Sequence, residues 1–351
     1  MSDRHDAGVT TSGRRVTAAQ IAEEAGVSVP TVSRVLNRHA DVSPETRERV
    51  ERLLAKRGYR RRARLRTNGR LLDLVFPDLD SPWAVEIIRG VEETAHAEGV
   101  GTVVSAIHGQ CESARQWLQN VRERDCDAVI FVTSHLEPEL SHELGRIDVP
   151  TVVVDPTGHP DPFNHAERPG PVIGATNWAG GLSATQHLLS LGHQRIGMIA
   201  GPPRLLCSRA RTDGYRSALE AAGIPVDPAL MTEGDFYHMS GFECGKALLT
   251  GERPPTAVFV ASDQMALGLY EAARQLGLRI PDDVSVVGFD DLPEGRWASP
   301  PLTTVRQPLA EMGGVAARTA LRLVRGEPID SPRVELATDL VVRDSTAPIE
   351  G

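Results

Sequence analysis

From Leu71 onward, short apolar runs alternate with longer amphipathic stretches, and they do so twice. The first cycle reads "LLDLVF", "WAVEIIRGVEETAHAEG", "GTVVSAI", "SARQWLQNVRERD", "AVIFVTS" and "TVVVD". The second starts near Val172 with "VIGAT". It continues through a helix from Trp178 to Leu191, "RIGMIAG", a helix near Ala210 to Ala222, "AVFVAS", a helix from Asp263 to Leu276, and "VSVVGFD". Such runs are too short for buried helices and too evenly apolar for a half-exposed sheet. They read as strands covered on both faces, the mark of βαβ units around a parallel sheet. Two cycles predict two doubly wound α/β lobes, about 71–165 and 171–300, with the chain crossing back near 300–310. Ligands of such sheets bind at the carboxyl ends of the strands, here in a cleft between the lobes.

The segment before Leu71 has a different rhythm. In "VTAAQIAEEAGV", Thr17 and Gln20 form a capping box for a helix whose Ile21, Ala22 and Ala25 share one face. Gly26 ends that helix, because glycine takes a left-handed backbone at little cost. Ser28 caps the next, with Pro30 in its first turn and Val32, Val35 and Leu36 facing inward. Ser43, Pro44 and Glu45 start a third helix, on which Val50, Leu53 and Leu54 face the others and which Gly58 closes. Residues 15–60 are thus an all-α helix-turn-helix unit. The first turn of its second helix would enter a DNA major groove. There Thr31, Ser33 and Asn37 suit phosphates or base edges, and Arg34 suits either.

Charge supports that reading. The 351 residues carry a net −9, yet residues 1–70 hold 16 basic and 8 acidic side chains. A small basic head on a large acidic body is suited to meeting a polyanion. Residues 1–14 lack the apolar core of a signal peptide and read as a floppy tail; 347–351 read as a second one. No apolar run is long enough to span a bilayer. Cys111, Cys126, Cys207 and Cys244 are widely spaced and form no CxxC pair, so buried reduced thiols are expected in a cytoplasmic protein. The His residues lack metal-ligand spacing. Neither a metal nor a cofactor is expected.

"VTAAQIAEEAGVSVPTVSRVLN", followed by "VSPETRERVERLLAKRGY", closely resembles the headpiece of the LacI/GalR family of bacterial transcription regulators. The body resembles that family's effector-binding core, itself similar to periplasmic sugar-binding proteins. The motifs are "FPDLDSPW", "ATNWAGG", "HLLSLGHQRIGMIAG", "SRARTDGY", "ASDQMALGLYEAARQLGLRIPDDVSVVGFDD", "PPLTTVRQP" and "LVVRDST". The resemblance spans about residues 15–346, with 71–346 as the core. It implies a DNA-contacting set of Thr17, Ser28, Val29, Pro30, Thr31, Ser33, Arg34, Asn37 and Leu65. Val29 and Pro30 occupy the family's base-reading positions. Being apolar, they would meet thymine methyls or exclude bases sterically. The connector 61–70, "RRRARLRTNGR" with Arg60, departs from the family's hinge pattern. Leu65 is either a minor-groove wedge or part of a basic strap on phosphates, and the segment is a disordered tether without DNA.

For the cleft, the resemblance implies contacts from Ser81, Trp83 and Asp155 in the first lobe and Arg211, Phe236, Ser262 and Asp290 in the second. Arg211 would donate to adjacent hydroxyls of a polyol and Asp290 accept from them. The competing reading of these two is a structural ion pair, and of Phe236 a core residue. Ser262 stands where many relatives have Asn. Asp263 is expected to cap its helix, and Trp178 to pack or lie in an interface.

The function expected is a ligand-responsive transcription regulator, most simply a repressor of carbohydrate-utilisation genes. It would bind a pseudo-palindromic double-stranded DNA operator as a homodimer and sense a sugar between its lobes. With no leucine-repeat tail after Val342, a dimer rather than a tetramer is expected. A purine or other non-sugar effector, or an activator role, is the alternative. An enzyme is not expected: the body lacks a GxSxG elbow, a Walker loop and a GxGxxG after its first strand. A secreted binding protein fits neither the basic head nor the N-terminus.

Overall fold

The computed structural model describes residues 18–36, 42–57, 70–107, 111–132, 149–155 and 170–349. The chain divides into two compact units, Met1–Asn68 and Gly69–Gly351. Thr17, Asn37, Gly58, Leu65 and the 1–14 tail lie outside the described residues.

The first unit contains α1 (Ala18–Ala25), α2 (Val29–Leu36) and α3 (Pro44–Lys56). Gly26 turns the chain between α1 and α2 at φ +63°. Ile21, Ala22, Ala25, Val32, Val35 and Val50 are buried together, with Leu53 and Leu54 packed against them. So small a core is stiffened at its rim, where Arg57 donates to both carboxylate oxygens of Glu24 at 3.1 and 2.7 Å.

The second unit holds two six-stranded sheets. In chain order the strands are β1 (Leu71–Phe76), β2 (Gly101–Ala106), β3 (Ala128–Val132), β4 (Thr151–Val154), β5 (Val172–Ala175), β6 (Ile196–Ala200), β7 (Met231–Glu233), β8 (Ala257–Val260), β9 (Ser285–Asp290), β10 (Thr303–Arg306), β11 (Arg333–Leu336) and β12 (Asp339–Val341). The first sheet has the order β11-β5-β4-β3-β1-β2, all parallel. The second has β12-β10-β9-β8-β6-β7, parallel except for β12 against β10. In each sheet the order in which strands are added turns back once, between β1 and β3 and between β6 and β8, leaving a crevice at the carboxyl ends.

The lobe boundary differs from the sequence expectation. β5 pairs with β4 and so belongs to the first sheet, where "VIGAT" was expected to open the second. A run buried on both faces satisfies either sheet, so its pattern gives its type and not its membership. The next helix, α6 (Asn177–Ser190), packs in the second lobe. The chain returns between β10 and α11 (Leu309–Arg325). Leu309, Met312, Ala316, Ala317 and Leu321 of α11 complete the first lobe's core with Leu72, Leu74, Ile87 and Val91. β11 adds to the first sheet, and a third crossing delivers β12 to the second. Thr176 and Thr338 lock the first and third crossings together: Thr338 N–H donates to Thr176 Oγ1 at 2.9 Å, and Thr338 Oγ1 to the Thr176 carbonyl at 3.2 Å.

The remaining helices are α4 (Pro82–Ala97), α5 (Cys111–Arg124), α7 (Leu206–Ala221), α8 (His238–Leu249), α9 (Asp263–Leu276) and α10 (Pro293–Trp297). α7 begins a turn before the expected Ala210, because its N-cap Leu205 carries no capping side chain to mark it. Ser262 rather than Asp263 caps α9, accepting from Met265 N–H at 3.2 Å. Asp263 is instead fully buried, accepting from Leu292 N–H at 2.8 Å and Thr304 Oγ1 at 2.6 Å. Nor are residues 347–349 a free tail: Ala347 N–H donates to Ser285 Oγ and Ile349 N–H to the Leu191 carbonyl. Trp178 is largely exposed. Cys126 and Cys207 are buried, while Cys244 is half-buried. Among the described residues, no helix is long and apolar enough to cross a membrane, and no His/Cys/Asp/Glu group is placed to hold a metal ion.

Candidate functional site

The sheet order brings most of the expected cleft residues to strand ends. Asp155 directly follows β4, Asp290 ends β9, Phe236 follows β7, and Ser262 follows β8 by two residues. Ser81 caps α4 after β1, and Arg211 projects from α7 after β6. Three of these, Asp155, Phe236 and Asp290, adopt positive φ of 51°, 76° and 120°. Non-glycine residues bear such strain where the surrounding structure fixes them, commonly at binding sites.

Arg211 is the centre of the arrangement. It is 4% exposed. Its Nε donates to Asn177 Oδ1 at 2.8 Å and its Nη1 to the Ala261 carbonyl at 2.6 Å. The guanidinium lies 3.8 Å from the Phe289 ring centroid and 5.7 Å from that of Phe236, in cation–π range. Asp290 Oδ1 is 3.7 Å from Arg211 Nη1 and accepts from Gln307 Nε2 at 2.7 Å. The Arg211–Asp290 pair thus exists, as the competing structural reading required, but the carboxylate's direct hydrogen bond comes from Gln307.

Burial pushes the Asp155 carboxyl up to about 6, against the pull of Arg211. Burial likewise pushes Asp290 up to about 6; Arg211 and Gln307 favour its charged form, and Asp155 opposes it. The second Asp of "GFDD" behaves otherwise. Burial would raise Asp291, but hydrogen bonds from Arg343 and Arg306, with Arg296 beside them, hold it below the usual carboxylate range. Asp291 is a structural anchor. The Cys207 thiol beside the site is pushed by burial up to about 12 and stays protonated.

Ser81 and Ser262 spend their hydroxyls on structure. Ser81 Oγ accepts from Trp83 N–H and donates to Gln264 Oε1 of the other lobe, both at 3.3 Å. Ser262 Oγ donates to the Phe236 carbonyl at 3.2 Å. Trp83 packs against the first lobe's core. A second bridge between lobes joins Tyr237 Oη to Asp78 Oδ1 at 3.0 Å.

Sequence reasoning missed Asn177, Gln264, Phe289 and Gln307. All four lie in motifs quoted above: Asn177 in "ATNWAGG", Gln307 in "PPLTTVRQP", and Gln264 and Phe289 in the long motif from Ala261 to Asp291. Asn177 and Gln307 are the two that orient the charged pair. Both sit where the chain crosses between lobes. Arg211 and Asp290 are therefore oriented by side-chain amides mounted on the crossovers.

In the first unit, Ser28 caps α2, accepting from Thr31 N–H at 3.3 Å, with the two hydroxyls 2.8 Å apart. Ser28 and Val29 are exposed, and Thr31 is half-buried. Pro30, Ser33 and Arg34 also lie in the α2 backbone. Ser28→Ala removes the cap, at about 1 kcal/mol, and is expected to speed amide exchange of residues 29–36 about 5-fold by mass spectrometry. Unchanged exchange would show the cap to be idle.

Residues 17–62 match the model for bacterial regulatory proteins of the lacI family, and residues 185–346 the periplasmic binding protein-like domain. The HTH-type transcriptional repressor CytR of Escherichia coli strain K12 is 34% identical over 94% of this chain and 96% of its own. Among solved structures, the complex of transcriptional regulator CelR with cellobiose is 34% identical, covering 94% of this chain and all of that one at a TM-score of 0.71. The lac repressor dimer bound to operator and an anti-inducer is 30% identical, covering 95% of this chain and all of that one at a TM-score of 0.70.

Proposed function

The chain belongs to the lacI family of bacterial regulatory proteins, and from that premise we propose that it represses transcription and releases its operator when a sugar fills the interlobe cleft. It is a ligand-responsive DNA-binding regulator. One observation carries the sugar reading: Arg211 and Asp290 stand together at the strand ends, each held by an amide on a lobe crossover. A guanidinium donates to hydroxyl oxygens, a carboxylate accepts from hydroxyls, and Phe236 offers a ring for the C–H face of a pyranose. The cellobiose held by the related CelR supports this. Seven side chains make up the proposed site: Ser81, Trp83, Asp155, Arg211, Phe236, Ser262 and Asp290.

The protein works as a homodimer in the cytoplasm, two copies of α2 reading half-sites about 34 Å apart. Residues 15–60 form the reading head, 61–70 link it to the body, with Leu65 as a minor-groove wedge or part of a basic strap on phosphates, and the body is the sensor and not an enzyme. Ligand closure changes the angle between lobes and hence the spacing of the heads, and by linkage operator and effector must alter each other's affinity equally.

Arg34→Ala tests the division of labour. It is expected to weaken operator binding by about 10- to 100-fold, as loss of one groove contact does. Calorimetric affinity for the effector in the absence of DNA should not change. Loss of both together would overturn the modular reading.

A further inference from the structure

We propose that the cleft rejects phosphorylated and carboxylated ligands, and that Asp155 is the side chain that sets this exclusion. The inference rests on the sugar reading above and narrows it to polyhydroxyl compounds free of anionic groups.

The balance of donors and acceptors carries the argument. Anion sites present surplus N–H donors and uncompensated positive charge. Among the described residues the guanidinium at the centre is that of Arg211, which gives Nε to Asn177 and one N–H of Nη1 to Ala261, and Asp290 lies 3.7 Å away. A second buried carboxylate, Asp155 at the end of β4 in the first lobe, lies within electrostatic reach of the same guanidinium. Among the described residues, no other cation pairs with Asp155 or Asp290. The site is therefore acceptor-rich. Gln307 adds to this: its Nε2 is given to Asp290, and its Oε1 is buried without a hydrogen-bond partner among the described residues. Such a group asks its ligand for a donor. Hydroxyls supply donors; a phosphate brings only acceptor oxygens and close to two further negative charges. At the rim, Tyr237 already gives its phenolic proton to Asp78 across the gap, with Asp80 and Asp235 close by.

Asp155 decides the sign of the site. With it, two carboxylates face one guanidinium. With Asn in its place, one faces one. Asn is also among the few residues that accept the φ of 51° found there.

The test uses the full-length protein and Asp155→Asn, with ribose against ribose 5-phosphate, glucose against glucose 6-phosphate and gluconate, and cellobiose. Thermal shift and release of operator DNA are the readouts. Circular dichroism and the ligand-free melting temperature certify the fold of the variant, and the wild-type comparison stands on its own should the variant fail to fold. The uncharged member of a pair is expected to bind at least about 100-fold more tightly than its anionic counterpart, as like-charge repulsion in a buried site dictates. Asp155→Asn should narrow that gap about 10-fold, the worth of one carboxylate moved out of contact. An anionic member that binds as tightly as its uncharged partner overturns this inference and leaves the sugar reading standing. An unchanged gap in the folded variant overturns the assignment to Asp155. Binding by no member, charged or uncharged, overturns the sugar reading and this inference with it.

Discussion

Arg211→Met is expected to abolish effector-dependent release of operator DNA and to lower the melting temperature, by more at pH 8 than at pH 5. Methionine keeps most of the stem volume, so the change removes charge and donors rather than packing. What remains among the described residues is a buried pair of carboxylates with no counter-ion, Asp155 and Asp290, plus orphaned acceptors on Asn177 and Ala261. Breaking a buried ion pair by removing one partner costs about 3–5 kcal/mol, because the other charge stays behind. The pH dependence follows from the direction of the shifts. Both carboxyls already stand near 6 in the folded protein, above their ordinary values near 4. The folded state therefore binds more protons than the unfolded state between those values. The stability this contributes is fully present below the unfolded pKa and is lost as pH rises through 6. Without Arg211, which favours the charged forms, both carboxyls rise further, and the loss extends to higher pH. At pH 5 they are largely protonated and the missing cation matters less. Melting curves from pH 4 to 8 on wild type and variant read this directly. A loss of equal size at every pH would show that Arg211 stabilises by packing alone, and effector response retained in the variant would remove it from the site.

The parts of this protein legible in its sequence are those whose signal is local. β3 and β8 are continuous apolar runs, β1 and β9 are apolar apart from Asp73 in β1 and Ser285, Gly288 and Asp290 in β9, and each appears where the pattern put it. The helix Asp263–Leu276 is found to the residue, because αL Gly277 stops it and a polar-to-apolar switch starts it. What depends on closure of the chain was not legible. "VIGAT" gave no sign of which sheet it would join, and α11 lies far in sequence from the first-lobe core it completes. The site divides the same way. Arg211 and Asp290 came from the resemblance to the family's core, whereas Asn177 and Gln307 became visible only once the crossovers placed them beside those charges. Ser262 carries a second role that its sequence did not announce: the same position starts a helix, and its hydroxyl caps that helix.

The least legible feature is the close approach of helices, and its removal has the second large expected effect. α6 and α7 meet at Gly181 and Gly214. A Cβ on Gly181 would stand 2.3 Å from the Arg211 carbonyl oxygen, and one on Gly214 would stand 2.3 Å from that of Trp178. The obstacles are backbone atoms of packed helices, so no rotamer change relieves either contact. α8 and α9 use Gly241 and Gly268 in the same reciprocal manner, and α4 and α11 use Gly90 and Gly313. Such glycines carry no apolar signal, and hydrophobic periodicity passes over them. Gly181→Val must push α7 away from α6, taking Arg211 off Asn177 and off the Phe289 ring. Overpacking ordinarily costs about 1–3 kcal/mol, and a rigid carbonyl at that distance places the expected loss at the upper end, about 3 kcal/mol. Because the displaced backbone belongs to the residue at the centre of the cleft, effector affinity should fall with stability. Gly223→Val is the matched control. It stands at φ +70° with nothing within 4 Å of its Cβ, so it pays strain of about 1–2 kcal/mol and leaves Arg211 in place. Equal effects of the two substitutions on effector affinity would mean that the α6–α7 contact does not position Arg211.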